Sequence, residues 1–192
     1  MKLSDHFKGL CESPDEELLE ALIKAHYRAA LENDNLSKQV AAMVTAGSGD
    51  FLKAVAAGIL SLGTIHGPLL QARQLLRTAT PALIKKILSQ KNVRIPGWGN
   101  SFFKDKTDPA WNDVATLMRK KTIWKKIEMI DAAIKAEGKN IFPNAAIFTA
   151  GALEEMKWTD GTEGIIFLTA RLPVWGLTFK KVSDSLPTIA EI

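Results

Sequence analysis

The sequence has 192 residues, 46% of them hydrophobic and 24% charged, with 13 Gly, 8 Pro and one cysteine. That is the composition of a globular chain forming one domain or a tight two-lobed unit, and it excludes an intrinsically disordered segment, a collagen and a disulfide-stapled scaffold. Lys and Arg total 25 against 21 Asp and Glu, a net charge of +4 that suits an anionic ligand but falls short of a nucleic-acid footprint.

Charged residues follow Met1–Asp5 where a leader would carry an apolar run, so no targeting segment is expected. The lone Cys11 allows no intrachain disulfide and no cysteine-rich metal site, which fits a reducing, cytoplasmic setting. Ser13, Pro14, Asp15 and Glu16 read as a capping box with Ser13 as N-cap, and Leu18, Leu19, Leu22, Ile23 and Ala25 then recur at helical spacing, predicting a helix from Pro14 to about Leu31. A polar break at Glu32–Ser37 precedes a helix over Lys38–Ala46. The turn Gly47–Asp50 supplies Asp50 as cap for an Ala-rich helix over Phe51–Leu62. Gly63–Pro68 reads as a turn and Leu69–Arg77 as a helix; Thr80 and Pro81 then begin another that ends near Gln90.

Val93–Lys106, with Pro96, Gly97, Trp98, Gly99 and Asn100, is expected to be a loop. Helical spacing resumes at Pro109, with Ile123, Ile127, Ile130 and Ile134 on one face and Lys120, Lys121, Lys125 and Lys126 largely on the other, and Gly138 is the expected C-cap. Two further helices are predicted over Asn144–Met156 and Thr162–Phe179, with a weakly patterned tail from Ser183. No stretch alternates as a strand does, so the fold class is all-α. The apolar runs Ala54–Leu70 and Gly164–Phe179 fall short of the roughly 18 to 20 apolar residues of a membrane span and read as buried helices.

The chemistry-bearing residues are few. His6, His26 and His66 are too scattered for a zinc site, so no metal is expected. Gly47–Asp50 lacks the Lys and Ser/Thr of a phosphate loop, and the Lys120–Lys126 cluster reads first as a solvated helix face. His66 lies between flexible residues, where it is either a hydrogen-bonded core histidine or an imidazole aimed into a cleft. Arg171 sits in an apolar run where its charge must meet an acidic group or an anionic ligand. Gly97-Trp98-Gly99-Asn100 has the make-up of a ligand-contacting loop, since glycines admit close backbone approach and leave amides free for anions.

Taken in order, several segments resemble the citrate synthase and citryl-CoA lyase superfamily. Thr45–Ser48 and Ala56-Ala57-Gly58-Ile59 leading to His66-Gly67 are similar to its Ala-rich helix and Gly-Pro-x-His-Gly-Gly turn, in a register with one residue deleted before Gly63. Arg94–Asn100, followed by Lys104 and Asp108-Pro109, resembles the Gly-aromatic-Gly-His loop and its downstream Asp-Pro-Arg. Asn140–Phe148 is similar to the Pro-Asn-Val-Asp-Phe-Tyr element, and Ala170-Arg171 with Trp175 to the Ala-Arg-x-x-Gly-Trp helix. The resemblance runs from about Leu31 to Phe179.

It implies a multihelical citrate-synthase-like fold, truncated at the N-terminus, with large-domain-like helices at 1–78 and 160–192 and a small-domain-like part at 79–159. It also implies a homodimer that binds CoA or an acyl-CoA and a small anionic carboxylate; from the charge and the short apolar runs, neither nucleic acid nor membrane is an expected partner. By the same resemblance His66, Asn100 and Arg171 are the catalytic candidates, and Gly97, Trp98, Gly99, Lys104, Lys139 and Asn144 the CoA-binding ones. In the family an aspartate deprotonates the acyl-CoA methyl while histidines act on the thioester and oxo-acid carbonyls. Here the aspartate position is Ala146, the second histidine is Asn100, the arginine after Asp-Pro is Ala110 and a further histidine is Asp34. An oriented general base is worth about 10² to 10⁴ in rate, so ordinary citrate synthesis is not expected. Two readings follow: an enzyme of the carbon–carbon bond-forming or bond-cleaving type with an atypical site, or a catalytically inactive relative serving as a binding or partner subunit.

Overall fold

The computed structural model describes residues 2–7, 9–32, 36–61, 67–90, 93–100 and 103–185. Among these the regular structure is helical, with two isolated β-bridges and no strand, in line with an all-α fold. The helices are α1 (Glu16–Glu32), α2 (Leu36–Ser48), α3 (Phe51–Leu60), α4 (Gly67–Thr78), α5 (Pro81–Leu88), α6 (Asn112–Met118), α7 (Thr122–Ala136), α8 (Ala145–Glu155) and α9 (Gly164–Ser185), with short 3-10 turns at Leu3–Phe7 and Pro109–Trp111. The expected turn before His66 and the last residues of the tail lie outside the described residues.

Local capping chemistry sets most boundaries. Asp50 and Thr80 accept from the backbone N–H groups of Lys53 and Leu83, at 3.1 and 3.2 Å, satisfying donors that the first turn of a helix leaves orphaned. α1 departs from the expected capping box. Asp15, not Ser13, receives the Leu18 N–H at 3.0 Å, and the Glu16 carboxylate accepts from Leu3 and Ser4 of the preceding 3-10 turn. The Ser13 N–H instead donates to Met156 O, which carries Ser13 away from the helix start. The stretch from Pro109 is also not one helix: Lys121 is extended (φ −110°, ψ 155°), and its ammonium pairs with Asp15 at 2.6 Å, separating α6 from α7.

The chain forms two compact units, 1–25 with 66–163 and 26–65 with 164–192. In the first, α8 is the hub. Every residue from Ile147 to Leu153 is buried, and α4, α6 and α7 pack around it. Small side chains make this possible: a Cβ at Gly151 would collide with Met118 and lie 3.2 Å from Ile127 Cδ1. Ile127, Ile130 and Ile134 of α7 form the expected buried stripe.

A charged cluster ties α4 to the end of α8. Arg73 is 1% exposed; it donates to Glu154 at 2.6 Å, to Trp158 O at 2.7 Å and to Glu163, and lies 2.9 Å from Asp160. Arg77 grips Glu154 and Asp160 at 2.7 to 2.8 Å. Hydrogen bonding to Arg77 holds the Asp160 carboxyl below its usual range. Within the first unit the Arg73 cluster and the Phe7–Trp158 ring contact, 5.4 Å between centroids, join residues 1–25 and 66–78 to the rest.

In the second unit α2, α3 and α9 pack together. Ile166, Phe167, Ala170, Val174 and Trp175 form the buried face of α9, and Gly58 leaves room for the Trp175 ring, whose Cε2 would lie 2.8 Å from a Cβ there. His26 is buried with its ring edge against Phe167, at 4.4 Å between centroids.

Replacing Arg73 by Met removes the cation from a buried cluster of acids. The expected loss is about 3 to 5 kcal/mol, read as a lower urea midpoint at unchanged m-value. A loss below about 1 kcal/mol, the range of an exposed ion pair, would show that the cluster does not organise this unit.

Candidate functional site

Local backbone geometry and contacts shape the Gly97–Asn100 loop. Gly97 and Gly99 have φ of +92° and +87°, a region open to glycine at little cost. A Cβ at residue 97 would sit 2.6 Å from Ile147 Cβ, so this glycine lets the loop lie directly on α8. The Asn144 N–H donates to Gly97 O at 2.9 Å, and the Gly99 N–H donates to Phe142 O at 2.8 Å. Trp98 and Pro143 form the bridge between the two segments.

Asn144 completes the junction with its side chain. As N-cap of α8, its Oδ1 accepts from the Ala146 N–H at 2.9 Å, while its Nδ2 donates to Gly99 O at 2.7 Å. The second and third segments of the resemblance, far apart in sequence, are therefore hydrogen-bonded neighbours.

The details differ from what the sequence led us to expect. The Trp98 N–H donates to Ile95 O at 3.1 Å and the Gly99 N–H to Phe142 O, so neither amide is free to meet an anion. Trp98 is 5% exposed; its indole N–H donates to Asp131 Oδ1 of α7 at 3.2 Å, which makes it an anchor beneath the loop. The amide group of Asn144 is engaged at both its oxygen and its nitrogen. Lys104 and Lys139 are exposed, and Asn100 and Ala146 are half-buried. Asp108 caps the turn at Pro109 by accepting from the Ala110 N–H at 2.9 Å. His66 and Asp34 lie outside the described residues.

Arg171 belongs to the other unit. Its Nη1 donates to Ser37 Oγ at 2.9 Å, and the Trp175 indole N–H reaches the same oxygen at 3.4 Å. Burial lowers the pKa of the guanidinium from its ordinary value, because desolvation disfavours its charge. Here the first and fourth segments of the resemblance meet, through Gly58 under the Trp175 ring. The loop with Asn100 and the Arg171 cluster are thus two separately built constellations. Among the described residues no group of three or more His, Cys, Asp and Glu side chains gathers as a metal site, and no helix is long and apolar enough to cross a membrane.

Sequence reasoning missed Asp131 and Ser37. Asp131 had a signal, since it stands at helical spacing from Ile127 and Ile134, at the edge of the buried stripe. Ser37 had none beyond its place near a helix start.

Solved structures share this arrangement of helices. The chain superposes on citryl-CoA lyase from Hydrogenobacter thermophilus with a TM-score of 0.78, at 21% identity, over 94% of this chain and 75% of that one. The chain has the citrate-synthase-type fold. Citrate synthase from Thermotoga maritima matches with a TM-score of 0.67 at 22% identity, over 87% of this chain and 51% of that one. Citrate synthase from the thermophilic archaeon Thermoplasma acidophilum, in a ternary complex with carboxymethyl coenzyme A and oxaloacetate, matches with a TM-score of 0.63 at 20% identity, over 93% of this chain and 53% of that one. The citrate-synthase-type fold is thus present in a chain spanning three quarters of the lyase and about half of each synthase. No protein-family model and no curated protein sequence matches it.

Asn144→Ala removes both the α8 cap and the clamp on Gly99. The expected cost is about 1 to 2 kcal/mol in urea unfolding, whereas Asn144→Asp, which keeps the cap acceptor but not the donor to Gly99, should recover part of it. Equal stability of Asn144→Ala and the parent protein would contradict the clamp.

Proposed function

We propose that this chain binds a CoA thioester through the Gly97–Asn100 loop and the start of α8, as a citrate-synthase-like protein with an atypical site. The observation that carries the reading is the hydrogen-bonded junction of residues 97–99 with 142–144, which sets side by side the two segments that resemble the family's ligand-contacting elements. In this reading Asn100 donates a hydrogen bond to a substrate carbonyl, Arg171 holds a carboxylate, and His66 is the candidate donor to the thioester oxygen. Lys104 and Lys139, both exposed, offer positive charge for the phosphates of CoA. The citryl-CoA lyase and citrate synthase neighbours support the ligand class: one of them is held in a complex with a CoA analogue.

Ala146 limits the chemistry. A methyl group cannot take a proton from carbon, so the condensation that begins with deprotonation of acetyl-CoA has no base at that position. This favours, as a second reading, a relative that keeps the ligand and has lost the reaction, acting as a binding or partner subunit.

Isothermal titration of acetyl-CoA and of free CoA into the purified protein tests the binding. Saturable binding, weakened when Lys104 and Lys139 are both changed to Glu, is expected; a folded protein that takes up neither ligand would overturn the reading. With ligand bound, turnover that falls on His66→Ala and Arg171→Ala marks the enzyme, and absence of turnover marks the partner subunit.

The chain also pairs with itself in this proposal. Met43, Leu52 and Leu60 are 65%, 74% and 82% exposed, and Leu172 and Leu177 add to the apolar side chains that α2, α3 and α9 present. Exposed apolar patches of this kind mark interaction sites. Sedimentation should show a homodimer at micromolar concentration and a monomer once Leu52 and Leu60 are changed to Glu; a monomeric parent protein would exclude self-pairing.

A further inference from the structure

The loop at Gly97–Asn100 is held on two sides by different means. On one side its backbone is bonded to residues 142–144, through main-chain groups and the Asn144 amide. The other side depends on one side chain. Trp98 turns its ring into the protein, where only 5% of the residue remains exposed, and an indole N–H at that depth gains from an acceptor. Asp131 of α7 provides it at 3.2 Å. The second carboxylate oxygen of Asp131 lies 2.6 Å from the Lys135 ammonium, one helical turn on, which restricts the Asp131 rotamer.

We infer that Asp131 is the positioning residue of this loop: through the Trp98 indole N–H it fixes Gly97–Asn100 in the conformation that receives the acyl-CoA thioester, a role that rests on the CoA reading above. Two glycines at positive φ give the loop many alternative conformations when it is not held, and a loop that must be ordered on binding loses affinity by that ordering cost. Asp131 touches no ligand in this scheme. It acts by keeping Trp98 seated, which keeps Asn100 at the loop's outer end in register with the start of α8.

The experiment measures acetyl-CoA affinity by titration, and hydrogen exchange of the Gly99 amide without ligand, in the parent protein, Asp131→Ala, Trp98→Phe, the double variant and Lys135→Ala. Loss of a hydrogen bond to an ionised acceptor is expected to weaken binding about tenfold in Asp131→Ala and in Trp98→Phe. The double variant should be no weaker than either single one, because both remove the same bond. Lys135→Ala, which frees the Asp131 rotamer but leaves its acceptor oxygen, should weaken binding less than Asp131→Ala does, and Asp131→Asn, which retains an acceptor oxygen, should recover most of the affinity. Unchanged binding in Asp131→Ala, or losses that multiply in the double variant, would overturn the inference while leaving the CoA reading intact. If the parent protein binds no acetyl-CoA, that reading fails, and the clamp is decided by exchange alone. Faster exchange at Gly99 in Asp131→Ala and Trp98→Phe to the same extent supports it, and unchanged exchange overturns it.

Discussion

The side-chain amide of Asn144 faces two ways, with its oxygen on the first turn of α8 and its nitrogen on the carbonyl of Gly99. That placement is possible because α8 is itself immovable: the run from Ile147 to Leu153 is buried, and its glycine and alanines let α4, α6 and α7 close over it. A helix buried on all sides cannot slide without opening cavities in a close-packed interior. The loop that rests on its N-terminus inherits that fixity. Gly97 then acts as a contact surface, since any side chain there would strike Ile147.

The same logic governs the end of α8. Arg73 is buried among Glu154, Asp160, Glu163 and the Trp158 carbonyl, which satisfies a guanidinium that would otherwise be costly to remove from water. A polar clamp therefore sits at each end of one apolar helix: a neutral amide where the candidate site lies, and a charged cluster where the chain turns toward α9. The neutral clamp leaves no fixed charge from Asn144 beside the loop. Lys104 and Lys139, the lysines assigned to the ligand's phosphates in the proposed function, are both exposed.

Much of the helical layout was legible because its signals are local. Thr80-Pro81 and Asp50 each announce a helix start through one side chain bonding to a backbone three residues away, and Gly138, at φ +70°, marks the end of α7. Where tertiary contacts compete, the reading failed. Ser13 and Asp15 are both good caps, and the choice of Asp15 follows from the bond between Ser13 and Met156, far away in sequence. The break between α6 and α7 carries no Gly or Pro and is accompanied by the pairing of Lys121 with Asp15. In the site, the glycines of the loop were legible but their role was not, since amides expected to face a ligand donate to Ile95 and Phe142 instead. Arg73 passed unnoticed in an amphipathic helix, and Trp98 offered its face to a ligand on paper while the fold turned it inward to Asp131. These are long-range pairings that no local pattern encodes.

The central claim is that a CoA thioester is received where the Gly97–Asn100 loop meets the start of α8. Amide chemical shifts recorded by NMR with and without acetyl-CoA address it most directly. The account predicts perturbations concentrated at residues 97–100 and 144–147 and at Lys104 and Lys139, with the Arg73 cluster unmoved. Perturbations that spare the loop and the α8 start, or none at saturating ligand, would contradict it.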